Sequence, residues 1–263
     1  MKIKSILKLG TLALLTAALP ACSFLDTDPQ IIPDDGYYNS EQKLIYGLAG
    51  VYGVLNSEAL YGNYYSLQIA NADDLCYFNN YNNSESRPDR YNHSAGTAAI
   101  YDTWSKLYEG IKNANRYIEA VEKTEIDPGK LSVDIGLYIA EARFLRAYYY
   151  SLLMSAYGPV FLIGDDPVDF TQEGLNERER NTWEECINYV ANELWETSKG
   201  LPDVWTGETA NYGRATKGAA LAIRSRMLLY SARKLFNGND LYKGVSDKYG
   251  NPLFPTVYDE KKW

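Results

Sequence analysis

Glu141-Ala142-Arg143-Phe144-Leu145-Arg146-Ala147-Tyr148-Tyr149-Tyr150 runs on through Leu152, Leu153 and Met154 to Tyr157, then breaks at Gly158-Pro159. Read with the residues before it, this stretch predicts a helix from about Ser132 to Tyr157, closed by a helix-stop pair. Tyr138, Phe144, Tyr148, Tyr149, Tyr150 and Tyr157 make it strongly aromatic. Upstream, Ile100/Tyr101, Trp104, Leu107/Tyr108, Ile111, Ala114, Ile118 and Val121 form one apolar stripe at helical spacing. That helix stops near Asp127-Pro128-Gly129. Downstream, Val160 to Ile163 reads as a short extended piece, and Asp165-Asp166-Pro167 opens a loop. Thr182-Trp183-Glu184-Glu185 has the capping-box pattern. It starts a helix to about Lys199, with Ile187, Val190, Leu194 and Trp195 inward. A last helix is expected from about Thr216 to Phe236, with Ala219, Ala220, Ile223, Met227, Leu228, Ala232 and Leu235 inward. The fold class is all-α.

The order of these helices suggests two pairs, 100–122 with 132–157 and 182–199 with 216–236. Small residues on one helix that receive large ones from its neighbour pack in a tetratricopeptide-like manner. The sequence repeat is weak and the loops are long, so the expectation is helical pairs with long irregular loops. Ahead of them, Ser40 is placed to cap a helix with Leu44, Ile45, Leu48, Val51, Tyr52 and Leu55 at three-four spacing. Tyr64 to Leu75 reads as a further helix with Asp73 and Asp74 at its end. Residues 76–96 are polar and irregular.

The N-terminus is a targeting signal. Lys2, Lys4 and Lys8 precede an apolar run from Leu9 to Leu19, far shorter than the about 20 residues a membrane-spanning helix needs. Leu19-Pro20-Ala21-Cys22 resembles a bacterial lipobox, so residues 1–21 are read as a lipoprotein signal peptide and Cys22 as the lipid-attachment residue. Several acyl chains on one residue hold a protein stably at a membrane. Residues 22–39 then form a tether, and 40–263 the helical domain.

Composition removes several function classes. The formal charge is −8, and removing residues 1–21, with three lysines and no acid, lowers it to −11. Nucleic-acid binding and electrostatic docking on anionic lipid both need a basic face. The single histidine, His93, excludes multi-histidine metal sites, and no nucleophile motif accompanies it. No metal or cofactor is expected. Cys76 and Cys186 are free to pair in an oxidising compartment, although two buried thiols are the simpler expectation.

Three groups of side chains bear on chemistry. Glu141, Arg143 and Arg146 could form an anion site, but salt bridges packed between helices are the stronger reading. Asp73-Asp74 and Asp165-Asp166 could suggest paired glycosidase carboxylates, yet adjacent residues point in different directions. The segment 76–96 interleaves Tyr77, Phe78, Tyr81 and Tyr91 with asparagines, Arg87 and Arg90. Aromatic faces stack on the apolar patches of a sugar ring, while amides, acids and guanidinium groups bond its hydroxyls. On composition alone, a polar loop whose tyrosines cover the helices below is an equal reading.

Together these residues resemble the SusD/RagB family of nutrient-binding surface lipoproteins of Bacteroidetes. Four segments carry the resemblance in order. They are Cys22-Ser23-Phe24-Leu25-Asp26-Thr27-Asp28-Pro29, the series Trp104, Tyr108, Ile111, Asn115 and Ile118, the run Glu141 to Val160, and Gly213-Arg214-Ala215-Thr216-Lys217-Gly218-Ala219-Ala220. The resemblance implies an outer-membrane lipoprotein, exposed at the cell surface, that binds a glycan or other nutrient without catalysis. It implies a SusC-type TonB-dependent transporter as partner. It also tips the segment 76–96 towards ligand contact, which makes Asp73, Tyr77, Asn79, Tyr81, Arg87 and Tyr91 the candidate binding residues. Family members are commonly about twice as long, so the chain is expected to be an N-terminal portion. A helical-repeat adaptor for proteins and, more remotely, a glycoside hydrolase are the alternative readings.

Overall fold

The computed structural model describes residues 37–56, 98–165, 178–206 and 211–262. Among them are five α-helices, α1 (Glu41–Tyr52), α2 (Ala98–Glu122), α3 (Ile135–Tyr157), α4 (Trp183–Gly200) and α5 (Lys217–Ala232), and no β-strand. The helices pack in sequence: α2 on α3, α3 on α4 and α4 on α5, with α1 laid across α2 and α3. Both expected pairs are present. The contact between α3 and α4 joins them into one continuous stack, as in tetratricopeptide-like proteins.

Local chemistry accounts for the helix ends. Asp134 caps α3 by accepting from the Gly136 amide at 2.7 Å, which starts the helix three residues after the expected Ser132. Gly158 ends α3 with φ +72°, a region that side chains avoid, and Pro159 cannot extend the helix. The capping box at α4 is complete: Thr182 Oγ1 accepts from the Glu185 amide at 3.2 Å, and the Glu185 carboxylate accepts from the Thr182 amide at 2.7 Å. Ser40 is the N-cap of α1, but its side chain makes no capping bond. The Glu41 carboxylate instead takes the Ser132 amide and hydroxyl and the Tyr138 hydroxyl, tying α1 to the start of α3.

Leu44, Leu48, Leu107, Ile111, Leu145, Leu153, Ile187 and Leu194 are fully or almost fully buried and form the spine of the core. The helical tyrosines belong to it as expected: Tyr117, Tyr138, Tyr149 and Tyr150 are all buried. Tyr138 donates to the Glu41 carboxylate, and the other three hydroxyls find backbone partners. Tyr117 donates to the Leu44 carbonyl at 3.0 Å and Tyr149 to the Val51 carbonyl at 2.5 Å, so two tyrosines of the stack hold α1.

Three expectations are corrected. Trp195 and Leu235, read as inward, are exposed, while Trp104, read as fully buried, is half-buried. Helix α5 ends at Ala232 and not Phe236, because Phe236 turns away to stack on Trp183. Val160 to Ile163 forms no strand: among the described residues only the Val160 carbonyl has a backbone partner here, the Asn181 amide. Side chains bond the rest. Tyr108 pairs with Phe161, Tyr150 accepts from the Ile163 amide, Asn181 from the Leu162 amide, and Asn115 donates to the Gly164 carbonyl. A segment so supported satisfies its backbone without a sheet.

Candidate binding surface

Two internal ion networks lie beneath the surface. Arg146 is 1% exposed; it donates to Asn115 at 2.8 Å and to Glu193 at 2.7 Å, and pairs with Asp165 at 2.7 Å. Arg143 meets Glu193 with two nitrogens, at 2.6 and 3.2 Å. Fully buried Glu141 is held by both Arg214 and the Tyr52 hydroxyl, and Tyr52 in turn accepts from the Ala215 amide. Burial and the neighbouring Glu141 push the Tyr52 hydroxyl pKa up, so it stays protonated and donates. Glu141, Arg143 and Arg146 are thus structural, as their helical spacing suggested, and no anion site is open there. Asp165 serves the same network and accepts from Tyr189.

The α2 end next to residues 57–97 carries an aromatic and arginine cluster. Trp104 meets Tyr157 edge-on at 5.0 Å and lies tilted on Tyr108 at 4.9 Å. The Arg180 guanidinium sits 5.5 Å from the Trp104 ring and donates to the Pro159 carbonyl, while Arg178 lies 5.3 Å from the Phe161 ring. Cations over aromatic faces fix the exposed side of these rings. Burial raises the Tyr157 pKa to about 12, so its hydroxyl is neutral at physiological pH. Sequence periodicity assigned Trp104 to the core; the signal that it borders the surface is its place in the first turns of α2, beside the polar segment.

The six candidate ligand residues, Asp73, Tyr77, Asn79, Tyr81, Arg87 and Tyr91, lie outside the described residues, as do Cys22, Cys76, the expected helix from Tyr64 to Leu75, and His93. Cys186 is a buried free thiol, with a pKa raised to about 11 by burial. No group of three or more metal-ligating side chains occurs among the described residues, and none of their helices is long and apolar enough to cross a membrane.

Residues 23–229 match the sequence profile of a family described as "Starch-binding associating with outer membrane", the SusD-like proteins. The chain belongs to the SusD-like family. A SusD-like protein of Formosa agariphila is 25% identical over 213 residues, covering 78% of this chain and 39% of its own. A SusD-like protein of Bacteroides ovatus is 29% identical over 235 residues, covering 88% of this chain and 40% of its own. A crystallised SusD-like protein of Bacteroides fragilis superposes with a TM-score of 0.63 at 26% identity, across 78% of this chain and 37% of that one. The surface glycan-binding protein A of Bacteroides uniformis shares the fold, with a TM-score of 0.56 at 17% identity, across 73% of this chain and 42% of its own. The chain spans about two fifths of the length of the curated relatives it matches.

Proposed function

We propose that the chain is the helical portion of a surface lipoprotein that binds glycan and associates with a SusC-type TonB-dependent transporter, without catalysing a reaction. The family match over residues 23–229 carries this reading. Cys22 is the lipid-attachment residue and fixes the protein to the outer membrane. Asp73, Tyr77, Asn79, Tyr81, Arg87 and Tyr91 are the proposed ligand contacts, because rings and amides alternate through a segment too polar for a core. The internal ion pairs agree with a binding role, since the charged side chains of α3 hold helices together.

Retention on a panel of immobilised polysaccharides, followed by calorimetry, tests the binding role. Tyr77→Ala or Tyr81→Ala should weaken a glycan that the parent binds by roughly twofold to tenfold, since an aromatic contact contributes about 0.5–1.5 kcal/mol beyond area. No polysaccharide retained would sink the glycan reading, and release of reducing ends from a bound one would make the protein a hydrolase. In cells, Cys22→Ala should leave the membrane fraction; full retention there would refute the lipid anchor.

A further inference from the structure

Asn237-Gly238 is the only Asn-Gly pair in the chain. In such a pair the glycine amide nitrogen can attack the asparagine side-chain carbonyl carbon, because glycine has no side chain to obstruct the approach. A C–N bond forms, ammonia leaves and a five-membered succinimide results. Water then opens that ring at either carbonyl, giving aspartate or isoaspartate. No enzyme or further reactant is needed.

The fold holds every participant away from this reaction. Asn237 is fully buried, so water is kept off its side chain. Its amide nitrogen donates to the Asp259 carbonyl at 2.7 Å and its oxygen accepts from the Asp259 amide at 3.2 Å, which fixes the carbonyl carbon. The Gly238 N–H donates to the Pro255 carbonyl at 3.2 Å, which keeps the attacking nitrogen protonated and engaged. The same contacts explain why a labile pair stands here. Gly238 has φ +81°, and a Cβ there would collide with the backbone of Val257 and Tyr258. An amide side chain donates to one backbone group and accepts from the other, whereas a carboxylate only accepts.

We propose that Asn237 is a site of covalent self-modification: the closed segment 236–259 holds off its deamidation, and deamidation during a local opening prevents the segment from closing again. Aspartate at 237 sets a buried charge against the Asp259 carbonyl, acceptor facing acceptor. Isoaspartate adds a methylene to the backbone next to Gly238, where there is no room for a Cβ. The reaction thus drains the open state, and the working life of the protein follows the opening of this segment.

Peptide mapping by mass spectrometry of the whole chain, incubated in mildly alkaline buffer with and without urea, tests the protection. Unfolded in urea, the chain should be modified at Asn237 ahead of every other asparagine. Folded, it should react there roughly tenfold or more slowly, by the same factor as the Gly238 amide is protected from hydrogen exchange. Equal rates in the two states, or a suppression far from that protection factor, would overturn the proposal. The aged, modified fraction carries one more negative charge and separates on anion exchange. It should have lost exchange protection across 236–259 while α2 and α3 keep theirs; parent-like protection there would show that the segment closes over the product, against the proposal. Asn237→Asp installs the aspartate product directly and should show the same loss. Where that variant does not fold, the aged fraction still decides.

Discussion

Replacing Arg146 by methionine is expected to cost about 3–5 kcal/mol of folding stability, because it removes one partner of a buried ion pair and strands the other. Arg146 has three polar partners to leave, Asn115, Glu193 and Asp165, at 2.7–2.8 Å, while its own buried Nε has none. Arg143→Met should cost far less, about 1 kcal/mol, since Arg143 is partly exposed and Glu193 keeps Arg146. The double replacement Arg146→Met with Glu193→Met should recover part of the single loss, because no buried charge is left alone. Urea unfolding of the three variants checks the order, and equal losses for Arg143→Met and Arg146→Met would contradict it. The same network sets an acid limit. Burial raises the Glu193 pKa, but hydrogen bonds from Arg143 and Arg146 outweigh it and hold the carboxyl below 4.5. A carboxyl lowered in the folded state gives its stabilisation in full above the unfolded value, and loses it as pH falls through the folded one. The gap in stability between parent and Glu193→Gln should therefore narrow as pH drops below 4.5.

Where short-range chemistry decided the outcome, the residues could be read directly. Thr182 with Glu185, Gly158 with Pro159, and the stripe from Leu107 to Val121 each act within one or two turns, and each stands where it was expected. Errors arose where a residue had a choice of partners across the fold. The apolar pattern continues through Leu235 and Phe236, but α5 stops at Ala232 because Phe236 stacks on Trp183 at 4.4 Å. Periodicity cannot foresee a ring contact 53 residues away in sequence. Trp195 has a helical phase that fits the core, yet it lies exposed beside Lys199 and Arg224, whose cations sit 5.6 and 5.5 Å from its ring. Val160 to Ile163 looks like a strand because its side chains are apolar and branched. No strand lies beside it among the described residues, and tyrosine and asparagine side chains take the backbone bonds. The candidate ligand segment had no periodic signal to use; the alternation of rings and amides left two readings equal, and the family resemblance tipped it towards ligand contact.

Trp183→Ala is expected to be the most damaging single truncation in the second helical pair, at about 3–5 kcal/mol. Trp183 is fully buried at the first position of α4, and its ring joins a stacked set centred on Phe236. Phe236 lies at 4.4 Å and Phe254 at 5.8 Å, both near-parallel, and Tyr242 extends the stack at 4.6 Å from Phe254. The Trp183 amide also donates to the Leu253 carbonyl at 2.8 Å. This one residue therefore fastens the segment after α5 to the start of α4. The segment's other ties to the fold are the surface pairs Lys262–Glu184 at 2.5 Å and Lys248–Glu179 at 3.1 Å, while Asn237 with Asp259 and Gly238 with Pro255 bond within the segment. Truncation to alanine opens a cavity under two rings, Phe236 and Phe254, and the segment 236–254 should become the first part to exchange its amide hydrogens. Trp183→Phe should cost much less. It keeps a flat ring for Phe236 and removes the indole N–H, which is buried without a hydrogen-bond partner. Hydrogen exchange of parent and both variants reads the difference: protection lost across 236–254 in Trp183→Ala and largely kept in Trp183→Phe. Equal protection in parent and Trp183→Ala would mean that the ring stack does not hold the segment, and that its ion pairs to Glu179 and Glu184 do.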